Sequence, residues 1–346
     1  MSKAHRPGRM PGPVTTTHGL VDLTAPLPPG PLVNADLAPT PVDRRTWNLW
    51  HIASLWVGMS VCIPTYMLAA SMIDAGMTWR QSLVAILLGN VIVLIPMAIN
   101  AHAGTRYGIP FPVYARAAFG TTGAHVPSLL RSVVACGWFG IQTWVGGLAI
   151  HALVGILWPA WSALGGDWRF MGYGLPHFAS FFAFWLINMY FVWAGTDSIK
   201  WLETVSAPLL IAMGLALLGW AANRAGGLGT VLAQANALAR PGAPTGSRFV
   251  MTVFVPWMTA MVGFWATLSL NIPDFTRFAR SQRDQIVGQA LGLLTTMPLF
   301  AFIGVAVTSA TLILYGEAIW NPVDLLSRLT AESGSPLLGM EDQERR

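Results

Sequence analysis

"WVGMSVCIPTY", residues 56–66, and "WATLSLNIPDF", residues 265–275, follow one pattern. Trp, Ser, Ile and Pro fall at the same places, and similar residues occupy three further positions. Each stretch is an apolar helical run interrupted by proline, which removes a backbone donor and clashes with the preceding turn. Gly58 precedes Pro64 in the first and Gly263 precedes Pro273 in the second, adding backbone freedom to both. Two broken helices are therefore expected. They belong to the first and sixth apolar spans, which would cross a membrane in opposite directions. An echo between such spans is what an inverted repeat of five helices leaves behind. Chance similarity in a biased composition is the alternative.

The composition requires a membrane. Of 346 residues, 54% are apolar and only 10% are charged, with mean hydropathy +0.54. A soluble domain carries about 25% charged residues, so this chain could not wet a globular surface. Its apolar residues come in blocks of about 20 or more, long enough to span hydrocarbon at 1.5 Å per residue. The alternation of a membrane barrel is absent. Cys62 and Cys136 both fall inside apolar spans and read as small buried residues, not as a disulfide. The net charge of +5 comes from arginines scattered over short connections, which is the form of an orienting bias and not of a nucleic-acid surface.

Seven spans are expected, at about 48–73, 81–102, 126–157, 177–195, 204–222, 249–271 and 285–315. Lys3, Arg6, Arg9, Arg44, Arg45, Arg106, Arg116, Arg131, Lys200, Arg277, Arg280 and Arg283 then share one side. Arg80, Arg169, Arg224, Arg240 and Arg248 lie on the other. The richer side is the cytoplasmic one, so the N-terminus is expected inside. Residues 1–46, rich in Pro, Thr and Ala, read as a disordered cytoplasmic tail. Residues 47–338 read as the transmembrane region and 339–346 as an atypical C-terminal tail.

Little in the spans suits catalysis. His51, His102, His151 and His177 are scattered, with no partner at helical spacing. Asp197, Lys200 and Glu203 read as a cap and ion-pair group at a helix start. Asp274 and Arg277, closing the sixth span, read as an interfacial pair or a gate. No metal, carboxylate-pair or nucleophile–base constellation is present, so an enzyme is not expected. Trp138 and Gln142 stand apart. Four residues separate them, so they share one helix face. An amide in hydrocarbon is costly unless paired. Gln142 therefore either ties helices together or reads the N–H and C=O edges of a flat heterocycle stacked on Trp138.

The stretches "NADLAPT" (34–40), "GNVIVLIPMAINAHAGTRYGIPFPVYARAAFG" (89–120), "ACGWFGIQTWVGG" (135–147) and "NIPDFTRFAR" (271–280) resemble the nucleobase–cation symporter-1 family. They are most similar to its allantoin, hydantoin and uracil permease branch, over about residues 34–338. The resemblance implies an all-α polytopic membrane protein of leucine-transporter type, with five-plus-five inverted repeats and alternating access. It implies a transporter in the cell membrane that imports a nucleobase-like or ureide ring together with sodium or a proton. No cofactor and no nucleic-acid partner are implied; the bilayer and the small molecule are the partners. Carried over by position, Trp138 is the stacking tryptophan and Gln142 the substrate-binding glutamine. Trp265, after Gly263, is the second aromatic wall. The backbone carbonyls of Gly58 and Val61 form part of a sodium site. Cys62 falls where the hydantoin transporter has a glutamine.

The family has twelve helices, and about seven are expected here. The first repeat would cover about 47–222 and a partial second about 249–338, so the chain reads as C-terminally truncated. In the family, the eighth helix supplies an asparagine to substrate and hydroxyls to sodium. A receptor or channel-like protein with the same aromatic pocket is the rival reading.

Overall fold

The computed structural model describes residues 14–15, 19–23, 27, 30–236, 238, 242 and 244–333. The C-terminal tail expected at 339–346 lies outside them. In chain order the helices are α1 (Leu49–Ser60), α2 (Ile63–Asp74), α3 (Trp79–Tyr107), α4 (Phe111–Gly123), α5 (His125–Leu157), α6 (Leu175–Ala194) and α7 (Thr196–Arg224). They continue with α8 (Leu228–Ala235), α9 (Gly246–Phe249), α10 (Val255–Asn271), α11 (Pro273–Thr276), α12 (Gln282–Tyr315) and α13 (Pro322–Ser333). Among the described residues, six helical stretches are long and apolar enough to cross a membrane, and α1 with α2 makes a seventh, bent by 57°. All seven expected spans are therefore found. The fifth starts at Thr196 instead of near 204, because its polar first turns continue the helix that hydropathy alone cuts short. Helix α4, between the second and third spans, was not expected.

The two breaks fall at the prolines, not at the glycines. Gly58 lies inside α1, and the helix stops after Ser60. Pro64 has no N–H for the carbonyl of Ser60, and the Cys62 N–H takes that carbonyl at 3.1 Å. Gly263 likewise lies inside an unbroken α10 with nothing within 4 Å of where a Cβ would be. A helix tolerates one glycine at a cost of about 1 kcal/mol. Helix α10 stops at Asn271, just before Pro273. Here the carbonyl of Ser269, left without the N–H of Pro273, accepts from Asn100 Nδ2 at 3.0 Å. The sequence echo therefore has a physical counterpart. At the same aligned position a serine carbonyl loses its helical donor and finds another.

The chain divides into two compact units. The first comprises Met1–Trp56, Leu88–Val133 and Thr259–Thr295. In it α12 meets α1 through Gly288 and Gly292. A Cβ at Gly288 would lie 2.7 Å from Ile52 Cβ, and one at Gly292 would lie 2.8 Å from the carbonyl oxygen of Ala53. Small residues four apart allow such backbone approach in a membrane bundle. Trp47 also exchanges backbone hydrogen bonds with Phe278 and Arg280, both at 2.9 Å.

The described part of the N-terminal segment packs in this unit. Arg45, only 3% exposed, donates to the carbonyls of Thr40, Thr105, Arg106 and Val21 at 2.9–3.2 Å. Arg277 donates to Thr40 Oγ1 and to the carbonyls of Asp36 and Ala38. Two guanidinium groups thus gather backbone carbonyls of this segment. A tail poor in apolar residues can be ordered in this way without a core of its own.

The second unit comprises Val57–Leu87, Val134–Met258 and Thr296–Arg346. Its core gathers Tyr66 of α2, Ala221 of α7, Val231 of α8, Ile303 and Val307 of α12 and Leu325 of α13. Helices α5 and α6 meet where Gly147 sits on the backbone of Phe181, at 2.8 Å for a Cβ.

Candidate substrate and ion site

On α5, Trp138 and Gln142 are both half-buried, one turn apart. Gln142 makes no side-chain hydrogen bond among the described residues. Gly137 and Gly140, beside them, have nothing within 4 Å of where a Cβ would lie. The Trp138–Gln142 face thus carries an indole and an amide whose side chain makes no hydrogen bond among the described residues. Trp144 is differently placed. It packs on Tyr173 (ring centroids 4.7 Å apart), Phe178 (6.0 Å) and Phe181 (6.1 Å), within an aromatic cluster. Its neighbour Thr143 spends its hydroxyl on the carbonyl of Phe139 at 2.6 Å.

In the first unit Trp265 is buried edge-on against Trp56, centroids 5.2 Å apart, and against Phe264 at 4.9 Å. Gly263, half a turn earlier, is exposed. The pairs Trp138–Gln142 and Gly263–Trp265 belong to different units, and each is defined within its own.

Gly58 and Val61 flank the end of α1. The N–H of Cys62, which an unbroken helix would direct to Gly58, goes to Ser60 instead. Among the described residues no backbone N–H reaches the carbonyl of Val61, whose own N–H bonds Val57 at 2.9 Å. Cys62 Sγ lies 3.3 Å from Thr65 Oγ1. The break thus frees oxygen acceptors at the negative end of a helix, where a cation is favoured.

Sequence reasoning missed three features. Glu203, read as part of a cap, lies in the third turn of α7, its carboxylate packed on Gly58. A Cβ at that glycine would overlap Glu203 Oε2 and lie 2.6 Å from Cδ. His151 and His177, read as scattered, stack at 4.0 Å, with Trp161 Nε1 donating to His151 Nδ1 at 2.9 Å. Asp274 Oδ1 accepts the N–H of Phe111 at 2.7 Å, closing the start of α4. Asn271 joins Asp274 to Arg131, donating to Asp274 Oδ2 at 3.3 Å and accepting from Arg131 Nε at 2.7 Å. Burial lifts the Asp274 carboxyl above the ordinary range, opposed by these hydrogen bonds and by the charges of Arg277 and Arg131. Only a contact map could have found these; the partners are far apart in sequence.

Among the described residues, long apolar helices, one of them bent at a proline, make a polytopic helical membrane protein. The chain belongs to the permease family for cytosine/purines, uracil, thiamine and allantoin, whose model matches residues 39–337. It is 47% identical over 301 residues to a purine-uracil permease of Arabidopsis thaliana, covering 86% of this chain and 48% of that protein. It is 41% identical to an allantoin permease of Bacillus subtilis, covering 86% of this chain and 59% of that one. Among solved structures it resembles Mhp1, a nucleobase-cation-symport-1 family transporter in a closed conformation with bromovinylhydantoin bound. The TM-score is 0.69 at 26% identity, covering 88% of this chain and 62% of Mhp1. The fold is accordingly the leucine-transporter type. The chain spans about half to three fifths of the length of these relatives.

Proposed function

We propose that the protein imports a small nucleobase-like or ureide ring, such as allantoin, hydantoin or uracil, coupled to sodium or a proton, by alternating access. In this reading the ring stacks on Trp138 and its imide or amide edge pairs with Gln142. The carbonyls of Gly58 and Val61 face the coupling ion. Residues 47–222 form the first repeat and 249–338 part of the second, in the cell membrane with a cytoplasmic N-terminus.

One observation carries the reading: Gln142 is half-buried in a membrane span, one turn from an indole, with no hydrogen-bond partner among the described residues. A polar group at that depth is expensive until something pairs with it, and relatives of this chain carry purine-uracil and allantoin names. The test is tryptophan-fluorescence titration of the purified chain in lipid nanodiscs with allantoin, hydantoin and uracil. Saturable quenching by at least one, weakened in Q142A, is expected. Equal quenching in parent and Q142A would remove Gln142 from the site.

A further inference from the structure

Where α3, α4 and α12 come together, the first unit carries a cavity of about 590 Å³. Volumes of about 300–1,000 Å³ hold a small organic ligand. The lining comes from Ile99, His102 and Tyr107 of α3, Tyr114 of α4, and Gln285 and Ile286 of α12. It is graded in polarity along the helices. Toward the middle of the span, Ile99 and Ile286 are 64% and 48% exposed. Ile95 and Val91, one and two turns deeper along α3, are also exposed and continue the apolar stripe. At the other end stand His102 and Tyr107, in the last two turns of α3, and Tyr114 in the first turns of α4. Gln282, opening α12, donates from Nε2 to the carbonyl of His102 at 3.1 Å, so α3 ends and α12 begins at one membrane surface. An apolar stripe that leads up to a polar, aromatic rim repeats the order of a phospholipid from chain to headgroup.

The arginines on this side decide the headgroup. Arg45, Arg116, Arg131 and Arg277 donate to carbonyls or polar side chains, and Arg280 pairs with Asp284 at 2.8 Å. The guanidinium groups of Arg44, Arg106 and Arg283 have no hydrogen-bonded or ionic partner among the described residues. Two of these three flank the cavity. Arg106 lies one turn past His102, with Cζ 5.6 Å from the ring centroid of Tyr107. Its Nε is closed off from water without a hydrogen-bond partner. Such a donor is costly until an acceptor reaches it. Arg283, which is exposed, lies one turn before Ile286. No carboxylate lines the cavity. Asp284, beside it in sequence, is engaged by Arg280, Ser281 and the N–H of Leu49. The rim therefore offers two unneutralised guanidinium forks, whose geometry suits phosphate oxygens.

We infer that this cavity binds an anionic phospholipid of the cytoplasmic leaflet, its phosphate between Arg106 and Arg283 and one acyl chain along Ile99, Ile95 and Val91. Basic pockets between membrane helices on the cytoplasmic side take such headgroups. The stripe selects a lipid over free phosphate, which would engage the arginines and leave the apolar side chains uncovered. The choice of leaflet rests on the cytoplasmic N-terminus proposed above; the lipid preference does not depend on the transport reading.

Native mass spectrometry of the purified, delipidated chain tests it, with phosphatidylglycerol and phosphatidylcholine of identical acyl chains titrated in turn. One phosphatidylglycerol should bind in preference to phosphatidylcholine, by about fivefold for each arginine. R106A and R283A should each lose their share of that preference, and R106K with R283K should keep part of it. R283A alters an exposed side chain, so the test stands even where R106A fails to fold. R44A removes a third free arginine, one that does not line the cavity, and should leave the preference intact. A98F, which fills the cavity from α3 without changing charge, should weaken phosphatidylglycerol binding. Equal binding of the two lipids would overturn the inference. So would equal losses in R44A and R283A, which would mean a diffuse surface attraction, or undiminished binding in A98F. Displacement of the lipid by inorganic phosphate at matched concentration would make the site one for the free anion. A dimer that carries no lipid would make this face a contact between copies of the chain. Failure of the substrate reading looks different: no ligand quenches, yet the lipid preference persists.

Discussion

At the scale of single residues the site divides by how far apart its partners lie in sequence. Trp138 and Gln142 are legible because one helix turn holds them together, and reading four residues ahead is enough. The contact of Glu203 with Gly58 is not, because a helix pattern says nothing about what a neighbouring helix brings. Two predictions follow from that contrast. Trp138→Ala and Gln142→Ala should each weaken ligand quenching. Loss of a base–aromatic stack costs about 1–3 kcal/mol in nucleic-acid complexes, or roughly five- to hundredfold in affinity. Trp144→Ala should matter less, since its ring is occupied by Tyr173, Phe178 and Phe181. A larger loss for Trp144→Ala than for both others would show that the wrong face of α5 had been chosen. Gly58→Ala should destabilise the chain by about 1–3 kcal/mol, the usual cost of an added group in a packed place. Adding Glu203→Ala should restore most of that loss, because the clash is with Glu203. Thermal unfolding of the two single variants and the double variant reads the coupling directly. Additive effects would mean that the two side chains do not meet.

At the scale of elements, apolar length fixed the spans and proline fixed the breaks. Gly263 leaves α10 unbroken, whereas Pro273, which has no N–H, ends it. Helix α4 escaped notice because it is short and mixed in polarity, and because its first turn depends on a distant residue. Asp274 supplies that turn's acceptor, bonding the N–H of Phe111 at 2.7 Å. Asp274→Ala should therefore cost about 0.5–2 kcal/mol, as lost helix caps do, and should speed hydrogen exchange at Phe111. Asp274→Asn keeps an acceptor and should cost less. The pH dependence has a definite sign. Burial raises the folded carboxyl above its unfolded value. Its contribution to stability is then fully present below about pH 3.9, the ordinary aspartate value. It is lost as pH rises through the higher folded value. The stability of the parent relative to Asp274→Asn should fall over that interval. A parent advantage that grows with pH there would mean that the hydrogen bonds and arginines outweigh burial.

At the scale of the whole molecule, the sequence carries more of the fold than of the transport cycle. Its echo around Pro64 and Pro273 reveals two related broken helices, but alternating access needs two complete repeats moving against each other. The relatives are longer: this chain spans 48% of the Arabidopsis permease and 59% of the Bacillus one. The family resemblance assigns to an eighth helix one substrate contact and the remaining oxygens of an ion site. The 346 residues by themselves hold the α5 face and the α1 break, so they should insert and bind ligand weakly. They should not concentrate it. Insertion needs only that each span be apolar enough on its own, whereas polar groups at midplane without their partners cost several kcal/mol each. The measurement is uptake of radiolabelled allantoin, hydantoin and uracil into proteoliposomes holding the purified chain, under imposed sodium and proton gradients. Binding without accumulation is the expected result. Gradient-driven accumulation of any one of them would mean that the elements described above already suffice for alternating access.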